Sequence, residues 1–317
     1  MKDCSGVISV GTNSTRLLVV NFSAKRFGLF GDPVARIVKQ RSVGTRIGEG
    51  LKESGHLRED AMERTLETVR DYRNALNGRK TEEYVIATSA LRRADNARDF
   101  VDRVREVTGV DVAILDGAEE AKASFRGAVT SLDDSEQLRA GVLDTGGGST
   151  EYAVGAHEHA EETVSCEVGA VRLTEWFPAL AGHNGLVDNA SIDGARRKTR
   201  ELLEPIVRPL PAEALAIVGG SATTALAVVR GHPVRFGDAE VTRDKLQSAL
   251  NTLCELPLAK RRTVPGMNPQ RVDILPAGIL ILDTALEMLG HDCATVSYSD
   301  LLLGYLLLQR EKNEALS

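Results

Sequence analysis

Residues 142–152 read VLDTGGGSTEY and residues 7–17 read VISVGTNSTRL, and the two stretches align without gaps. Each consists of a β-rich run, a turn rich in Gly, Ser and Thr, and a second β-rich run, which predicts a strand, a turn and another strand. Internal repetition constrains a fold more than any one segment does. We therefore expect two lobes that begin with the same hairpin.

Outward from the two hairpins, strand-like and helix-like patterns alternate. Around the first hairpin, helices are predicted at 58–76, 100–107 and 119–130, and strands at 84–87 and 110–115. Beyond the second hairpin, strands are predicted near 164–166 and 294–297, helices at 171–177, 190–206, 244–256, 272–289 and 301–310, and a buried strand that enters a helix at 216–226. This alternation indicates α/β lobes with helices packed on a sheet.

Composition excludes several classes of protein. The 317 residues suffice for about two domains. A net charge of −6 and an aromatic content of 4% disfavour a nucleic-acid binder. The four cysteines form no C-x-x-C pair, and the first residues contain no apolar leader, so we expect a cytoplasmic protein with reduced thiols. Charged residues and a proline interrupt the most apolar stretch, 272–289, which predicts a buried helix and no membrane association.

Three glycine-rich elements are candidate phosphate sites, because successive backbone N–H groups in such turns converge on an anion and hydroxyls add donors. The candidates are Gly11, Thr12, Asn13 and Ser14 in the first turn, Gly146, Gly147, Gly148, Ser149 and Thr150 in the second, and Gly219, Gly220 and Ser221 at a strand-to-helix junction. One such turn alone is equally consistent with a tight β-turn that requires glycine. Three together favour phosphate binding, although none matches the P-loop or G-x-G-x-x-G pattern.

Carboxylates accompany these elements. Asp144 and Glu151 flank the second turn, where a divalent cation could bridge protein and phosphate oxygens, although each alone is also consistent with a solvated side chain. Glu120 lies at the start of a predicted helix, where a carboxylate is favoured in any protein. The cluster at 157–159 contains two histidines but is interpreted as a hairpin tip, and the pair at 291–292 lacks further metal ligands.

Seven motifs occur in an order that identifies a resemblance. They are VGTNSTRLL at 10–18, RIGEG at 46–50, ATSALR at 87–92, GAEEA at 117–121, DTGGGSTE at 144–151, GAVRLT at 169–174 and GGSATT at 219–224. From Gly6 to about Leu308 the chain resembles the exopolyphosphatase/guanosine pentaphosphate phosphohydrolase (Ppx/GppA) family of the actin-like ATPase superfamily.

The resemblance implies an α/β fold of two ribonuclease-H-like lobes with the active site in the cleft between them. Residues 1–124, joined by a C-terminal helix at about 300–317, are expected to form the N-terminal lobe, and residues 125–299 the C-terminal lobe. By the same resemblance, Glu120 is the catalytic base and Arg92 grips the terminal phosphates. Asp144 and Glu151 are the implied Mg²⁺ ligands, with Mn²⁺ as an alternative ion. Inorganic polyphosphate or guanosine pentaphosphate (pppGpp) is the implied substrate, and a homodimer the implied assembly.

Two positions depart from the family pattern. Ser9 stands where the family usually has Asp, and the internal repeat pairs Ser9 with Asp144. The family's V-S-D-x-x-L-R-x-G reads VSYSDLLLG at 296–304, which predicts the loss of a charged pair. The main hypothesis is a Mg²⁺-dependent exopolyphosphatase, with pppGpp as a second candidate substrate. The alternative is a catalytically weak protein that senses (p)ppGpp or polyphosphate, and a sugar or acetate kinase has no support in these motifs.

Overall fold

The computed structural model describes residues 4–22, 36–76, 81–131, 139–183, 185–234 and 239–316. Two mixed sheets form its framework. The first sheet has the order β3-β2-β1-β4-β5, and its strands are β1 (Cys4–Val10), β2 (Thr15–Asn21), β3 (Arg36–Val43), β4 (Thr81–Ala87) and β5 (Val112–Ile114). The second sheet has the order β10-β11-β9-β6-β7-β8, and its strands are β6 (Ala140–Thr145), β7 (Thr150–Ala156), β8 (His159–Cys166), β9 (Ala214–Val218), β10 (Ala239–Thr242) and β11 (Cys293–Val296).

The helices follow the predicted alternation. Those between the strands of the first sheet, and directly after it, are α1 (Leu51–Ser54), α2 (Glu59–Asn74), α3 (Ser89–Arg93), α4 (Ala97–Thr108) and α5 (Gly117–Ala128). Those of the second half are α6 (Ala170–Trp176), α7 (Asn189–Leu203), α8 (Gly219–Arg230), α9 (Arg243–Cys254), α10 (Leu258–Arg261), α11 (Leu275–Leu289) and α12 (Leu301–Ala315). The four cysteines are unpaired.

The two sheets repeat one topology. In each, a three-stranded antiparallel meander (β1-β2-β3 and β6-β7-β8) is extended by parallel strands beside its first strand: β4 and β5 in the first sheet, β9 and β11 in the second. The antiparallel β10 then adds one edge to the second sheet. The hairpins have the same register, since Ser9 pairs with Arg16 and Asp144 pairs with Glu151. The predicted α/β class with two lobes is confirmed.

Each sheet is covered on both faces. The outer face of the first sheet packs on α2 and α4 through an apolar cluster that includes Tyr72 and Phe100, and that of the second packs on α7, α8, α9 and α11. On the inner faces, α12 covers the first sheet through Leu302 and Leu306, and α5 covers the second through Phe125. The predicted lobe boundary between residues 124 and 125 falls inside α5, and the lobe limits stay a prediction.

Along the described segments, no helix is both long enough and apolar enough to cross a lipid bilayer.

Candidate functional site

The two repeated turns close in the same way and face one another. In the first, the Gly11 amide donates to the Ser14 carbonyl at 3.0 Å, and in the second the Gly146 amide donates to the Ser149 carbonyl at 3.0 Å. A Cβ on Gly147 would lie 3.1 Å from Thr12 Cβ and 3.2 Å from Asn13 N. Glycine is therefore needed because the two lobes approach each other closely here.

A pocket opens between these turns. Nine of the twelve predicted phosphate-binding residues line it: Gly11, Thr12, Asn13, Ser14, Gly147, Gly148, Ser149, Gly219 and Gly220. The other three, Gly146, Thr150 and Ser221, are not part of its lining. The Thr150 hydroxyl donates to the Val168 carbonyl at 2.6 Å, and Ser221 is buried against Gly278 of α11. The Thr150 hydroxyl is thus bonded within the protein, whereas the Ser221 hydroxyl is buried without a hydrogen-bond partner among the described residues. That either residue binds phosphate stays a prediction.

The third glycine element brings α8 to the same pocket. Gly219 has φ +89°, and a Cβ there would lie 2.6 Å from Asp144 Oδ1. A side chain at this position would be strained and would displace the carboxylate, so the sequence requires glycine. Gly219 and Gly220 begin α8 and line the pocket, and the unpaired backbone N–H groups of a helix's first turn favour an anion.

Three carboxylates meet at the pocket from separate segments. Asp144 and Glu151 are opposite each other on β6 and β7, which puts both side chains on one face of the sheet. Glu120 lies in the first turn of α5, whose start is fixed by a capping box between Asp116 and Glu119. All three side chains are buried or nearly so and line the pocket.

Arg92 holds this group of carboxylates together. Its Nη1 donates to a Glu120 carboxylate oxygen and to the Leu115 carbonyl at 2.7 Å. Its Nη2 lies 3.9 Å from Glu151 Oε1 and, although buried, has no hydrogen-bond acceptor among the described residues. The arginine therefore orients Glu120. Arg92 is not among the residues that line the pocket, so its contact with the terminal phosphates stays a prediction.

Burial dominates the protonation of these acids. It raises the pKa of Glu120 to about 7, although the neighbouring Arg92 lowers it. Burial also raises the pKa of Asp144 to about 6, while a hydrogen bond from Ser124 Oγ at 2.6 Å acts in the opposite direction. The pKa of Glu151 is raised well above its ordinary value by burial and by the charges of Glu120 and Asp144. Such raised values are typical of sites that exchange protons or bind cations.

The donor set fits Mg²⁺ in part. Asp144 and Glu151 supply carboxylate oxygens, and a cation between them would offset the cost of burying two like charges. Among the side chains that the structure describes, no three His, Cys, Asp or Glu residues gather closely enough to hold a metal ion. Mg²⁺ in phosphoryl-transfer sites commonly takes one or two carboxylates and completes its shell with phosphate and water. Two protein ligands are consistent with that arrangement.

Sequence reasoning missed two arginines of the pocket, Arg16 and Arg271. Arg16 is part of the motif at 10–18, whose pattern assigns it no role, and it forms an ion pair with Asp300, 284 residues away in the chain, at 2.5 Å. This pair is distinct from the charged pair of the family pattern, whose two positions are Tyr298 and Leu302 in this chain. Arg271 lies against Gly220 just before α11, and no local pattern around it distinguishes it from a surface arginine.

The histidines at 157, 159 and 291, which the sequence did not favour as metal ligands, are not among the residues that line the pocket. His157 is in the tight connection between β7 and β8, as predicted for a hairpin tip, and His291 follows the end of α11.

A family model, curated proteins and solved structures were compared with this chain, and the matches from all three include Ppx/GppA or exopolyphosphatase proteins. The model of the Ppx/GppA phosphatase family matches residues 30–307. Exopolyphosphatase 2 of Mycobacterium tuberculosis is 32% identical over 317 residues, covering 95% of this chain and 96% of that protein. A bifunctional 3-dehydroquinate synthase/phosphatase of Fusobacterium nucleatum is 28% identical over 312 residues, but the match covers 46% of that protein and 95% of this chain. The crystal structure of the Aquifex aeolicus PPX-GPPA enzyme matches with a TM-score of 0.75 and 26% identity, over 96% of this chain and 98% of that one.

Proposed function

We propose that this chain, which belongs to the Ppx/GppA phosphatase family, hydrolyses the terminal phosphoanhydride bond of inorganic polyphosphate. The resemblance read from its motifs is confirmed, and an exopolyphosphatase relative of nearly equal length supports a phosphohydrolase. The observation that carries the proposal is Glu120, a buried carboxylate with a pKa of about 7 that is held by Arg92 beside two facing phosphate turns.

In the proposed reaction, water attacks the terminal phosphorus and the bond to the bridging oxygen breaks. Orthophosphate leaves with the water oxygen, and the shortened chain keeps the bridging oxygen. Glu120 accepts the proton of the attacking water, for which a pKa near the working pH is suitable. Thus Glu120 has the role of a general base, held in orientation by Arg92.

The other residues bind and neutralise the phosphates. Backbone N–H groups of the turns that contain Gly11 and Gly147 are donors for terminal oxygens, and Arg271 adds a cation from the second lobe. Asp144 and Glu151 would hold Mg²⁺, which supplies charge neutralisation on the phosphate oxygens when bound. Positioning and charge neutralisation are the main requirements of phosphoryl transfer.

One observation favours a second candidate function. Ser9 occupies the position equivalent to Asp144 in the repeated hairpin, so the first lobe supplies no carboxylate to the pocket from β1. A weakened metal site would favour a protein that binds polyphosphate or (p)ppGpp with little turnover. Glu120, Asp144 and Glu151 all lie at the pocket, and on that ground we favour the enzyme, with pppGpp as a further proposed substrate.

The experiment compares Glu120→Gln with Glu119→Gln. Loss of the base should lower phosphate release from polyphosphate by about 100-fold or more, whereas polyphosphate binding is kept. Glu119 is the neighbouring residue in the capping box, where glutamine is an equivalent partner, so Glu119→Gln should retain the wild-type rate. A folded Glu120→Gln protein that releases phosphate at the wild-type rate would exclude Glu120 as the base.

A further inference from the structure

A short segment between β3 and α1 joins the two lobes at the pocket. We call residues 44–50 the strap. On one side, the strap is fixed to the first phosphate turn: the Arg46 amide donates to the Asn13 carbonyl and the Gly48 amide to the Thr12 carbonyl, both at 3.0 Å. Two backbone hydrogen bonds therefore attach the strap to the turn that is proposed to bind phosphate.

On its other side, the strap contacts the C-terminal half of the chain at three points. Arg46 forms a bidentate ion pair with Asp273, with both N–O distances at 2.7 Å. The Gly44 amide donates to Gln270 Oε1 at 3.0 Å, and the Gly50 amide to Glu175 Oε1 at 3.2 Å. Bidentate arginine–carboxylate pairs fix geometry as well as distance, so the Arg46–Asp273 pair defines how the lobes meet at this edge.

Arg46 adopts an unfavourable backbone conformation in making this contact. Its φ is +53°, and within the described segments only His157, at a hairpin tip, is another non-glycine residue with positive φ. A left-handed residue other than glycine persists when its surroundings over-determine it, and such residues cluster at clamps and switches. Here the strap hydrogen bonds and the ion pair supply that constraint.

The partner carboxylate lies next to Arg271. Asp273 is two residues away in a turn where the Ile274 and Leu275 amides both donate to the Arg271 carbonyl, at 3.1 and 2.8 Å. The Arg271 guanidinium lines the pocket against Gly220 and has no hydrogen-bond or ion-pair partner among the described residues. Its charge is thus held at the pocket by the turn that Asp273 anchors to the strap.

We propose that the Arg46–Asp273 pair is an interlobe latch, which holds the cleft closed and positions Arg271 on bound phosphate. The proposal rests on the proposed function for its substrate. In it, Arg46 and Asp273 are positioning residues, since they act through Arg271 and through the spacing of the lobes. Opening the latch weakens substrate binding more than it slows the chemical step, because Glu120 and Arg92 are bonded to each other independently of the strap.

The first experiment removes the pair with near-isosteric changes, Arg46→Gln and Asp273→Asn. Each should raise KM for polyphosphate by about three- to tenfold, the range expected for a half-buried bidentate ion pair, with kcat within about twofold. The swapped pair, Arg46→Asp with Asp273→Arg, should restore KM, and aspartate tolerates the left-handed conformation at position 46. The control is Arg103→Gln, which breaks a bidentate pair with Glu59 on the far side of the first lobe and should leave KM unchanged.

A double mutant separates positioning from a general structural role. Arg271→Gln should raise KM at least as much as Asp273→Asn, and the two changes together should raise KM by clearly less than the product of their single effects, since Asp273 acts in part through Arg271. Fully additive effects on KM, or unchanged KM in both single variants of the latch, would overturn the proposal.

Two readouts are independent of turnover. Calorimetric binding of inorganic tripolyphosphate should weaken in Arg46→Gln and recover in the swapped pair, and small-angle X-ray scattering of Arg46→Gln should show a more open molecule. If the wild-type chain releases no phosphate, the proposed function fails while these readouts still test the latch. Unchanged tripolyphosphate affinity and unchanged scattering in both single variants would refute the latch.

Discussion

Burial disfavours the charged form of the Asp144 carboxyl group. It is held beside Ser124, Asp300 and two arginines, and burial raises its pKa to about 6 from an ordinary 3.8. At low pH the Asp144 carboxyl group is protonated in both the folded and the unfolded chain, so its titration does not change the free energy of unfolding. Between the two pKa values the unfolded chain loses the proton first, and at higher pH the folded protein must bury the charge. The contribution of Asp144 to stability therefore falls as pH rises from about 4 to above 6.

We expect Asp144→Asn to become more stable, relative to wild type, as pH rises from 5 to 8 without metal. Asparagine keeps an acceptor for Ser124 Oγ but carries no charge. Thermal unfolding of both proteins at pH 5 and pH 8 measures the effect, and added Mg²⁺ should narrow the gap at pH 8. A difference in Tm between the two proteins that is the same at both pH values would contradict the assignment.

Ser9 is the position at which the first hairpin lacks the carboxylate that Asp144 supplies in the second. It is buried at the pocket wall opposite Arg16, at the place of Asp144 in the repeat. Ser9→Asp should raise the affinity for Mg²⁺, on the order of tenfold, because a further carboxylate joins two others. Calorimetric Mg²⁺ titration tests this, with Ser9→Asn as the uncharged control. An unchanged titration would remove Ser9 as a determinant of metal binding.

At the scale of single residues, the sequence predicted Glu120, Arg92, Asp144 and Glu151 as members of one site, and the structure brings all four together. Their proposed roles came from the family resemblance. Arg271 could not be found, because its importance arises from burial against Gly220, 51 positions earlier in the chain, and not from a local pattern.

At the scale of elements, local patterns located most helices and strands, and their ends depended on particular residues. Helix α11 was predicted from residue 272 but begins at Leu275, because Pro276 lacks an N–H and is suited to the first turn. Strand β5 is shorter than predicted, with three residues, since it pairs at the sheet edge with only the last part of β4. Apolar periodicity alone could not define either end.

The crossing of α5 and α12 is an element-level feature that periodicity does not reveal. A Cβ on Gly304 would collide with the Ala123 carbonyl and lie 2.6 Å from Gly127 N, so the two helices touch backbone to backbone. The crossing fixes α12 beside the helix that carries Glu120. In the sequence, the crossing is marked only by a glycine in each helix. A helical glycine can have other packing or functional reasons, so this pattern alone does not predict a crossing.

Gly304→Ala should therefore destabilise the fold by roughly 2–3 kcal/mol, because rigid backbone cannot yield to the added methyl group. Gly194→Ala in α7 is the matched control: its new Cβ would lie 3.1 Å from a Phe177 side-chain atom. In α7 the preference of a helix for alanine over glycine, about 1 kcal/mol, should offset the energy of this close contact, so the stability of Gly194→Ala should stay near that of the wild type. Denaturant unfolding measures both variants, and equal stability of the two would refute a tight crossing.

At the scale of the whole molecule, the site exists only where two repeats of one topology face each other. Each hairpin was visible in the sequence, but which residues meet across the cleft depends on α5 and α12 covering opposite sheets and on the strap. The net charge of −6 does not prevent phosphate binding. Three of the acidic residues lie at the pocket itself, next to arginines and backbone amides. The homodimer expected from the family stays a prediction.

The most direct measurement of the central claim is orthophosphate release from short polyphosphate, long polyphosphate and pppGpp, each across a Mg²⁺ titration. We predict Mg²⁺-dependent release from polyphosphate, because the pocket combines glycine-rich turns, a Glu120 with a pKa of about 7 and two further carboxylates, Asp144 and Glu151. Measurable binding of all three compounds with no release at any Mg²⁺ concentration would contradict the enzyme and favour the sensor.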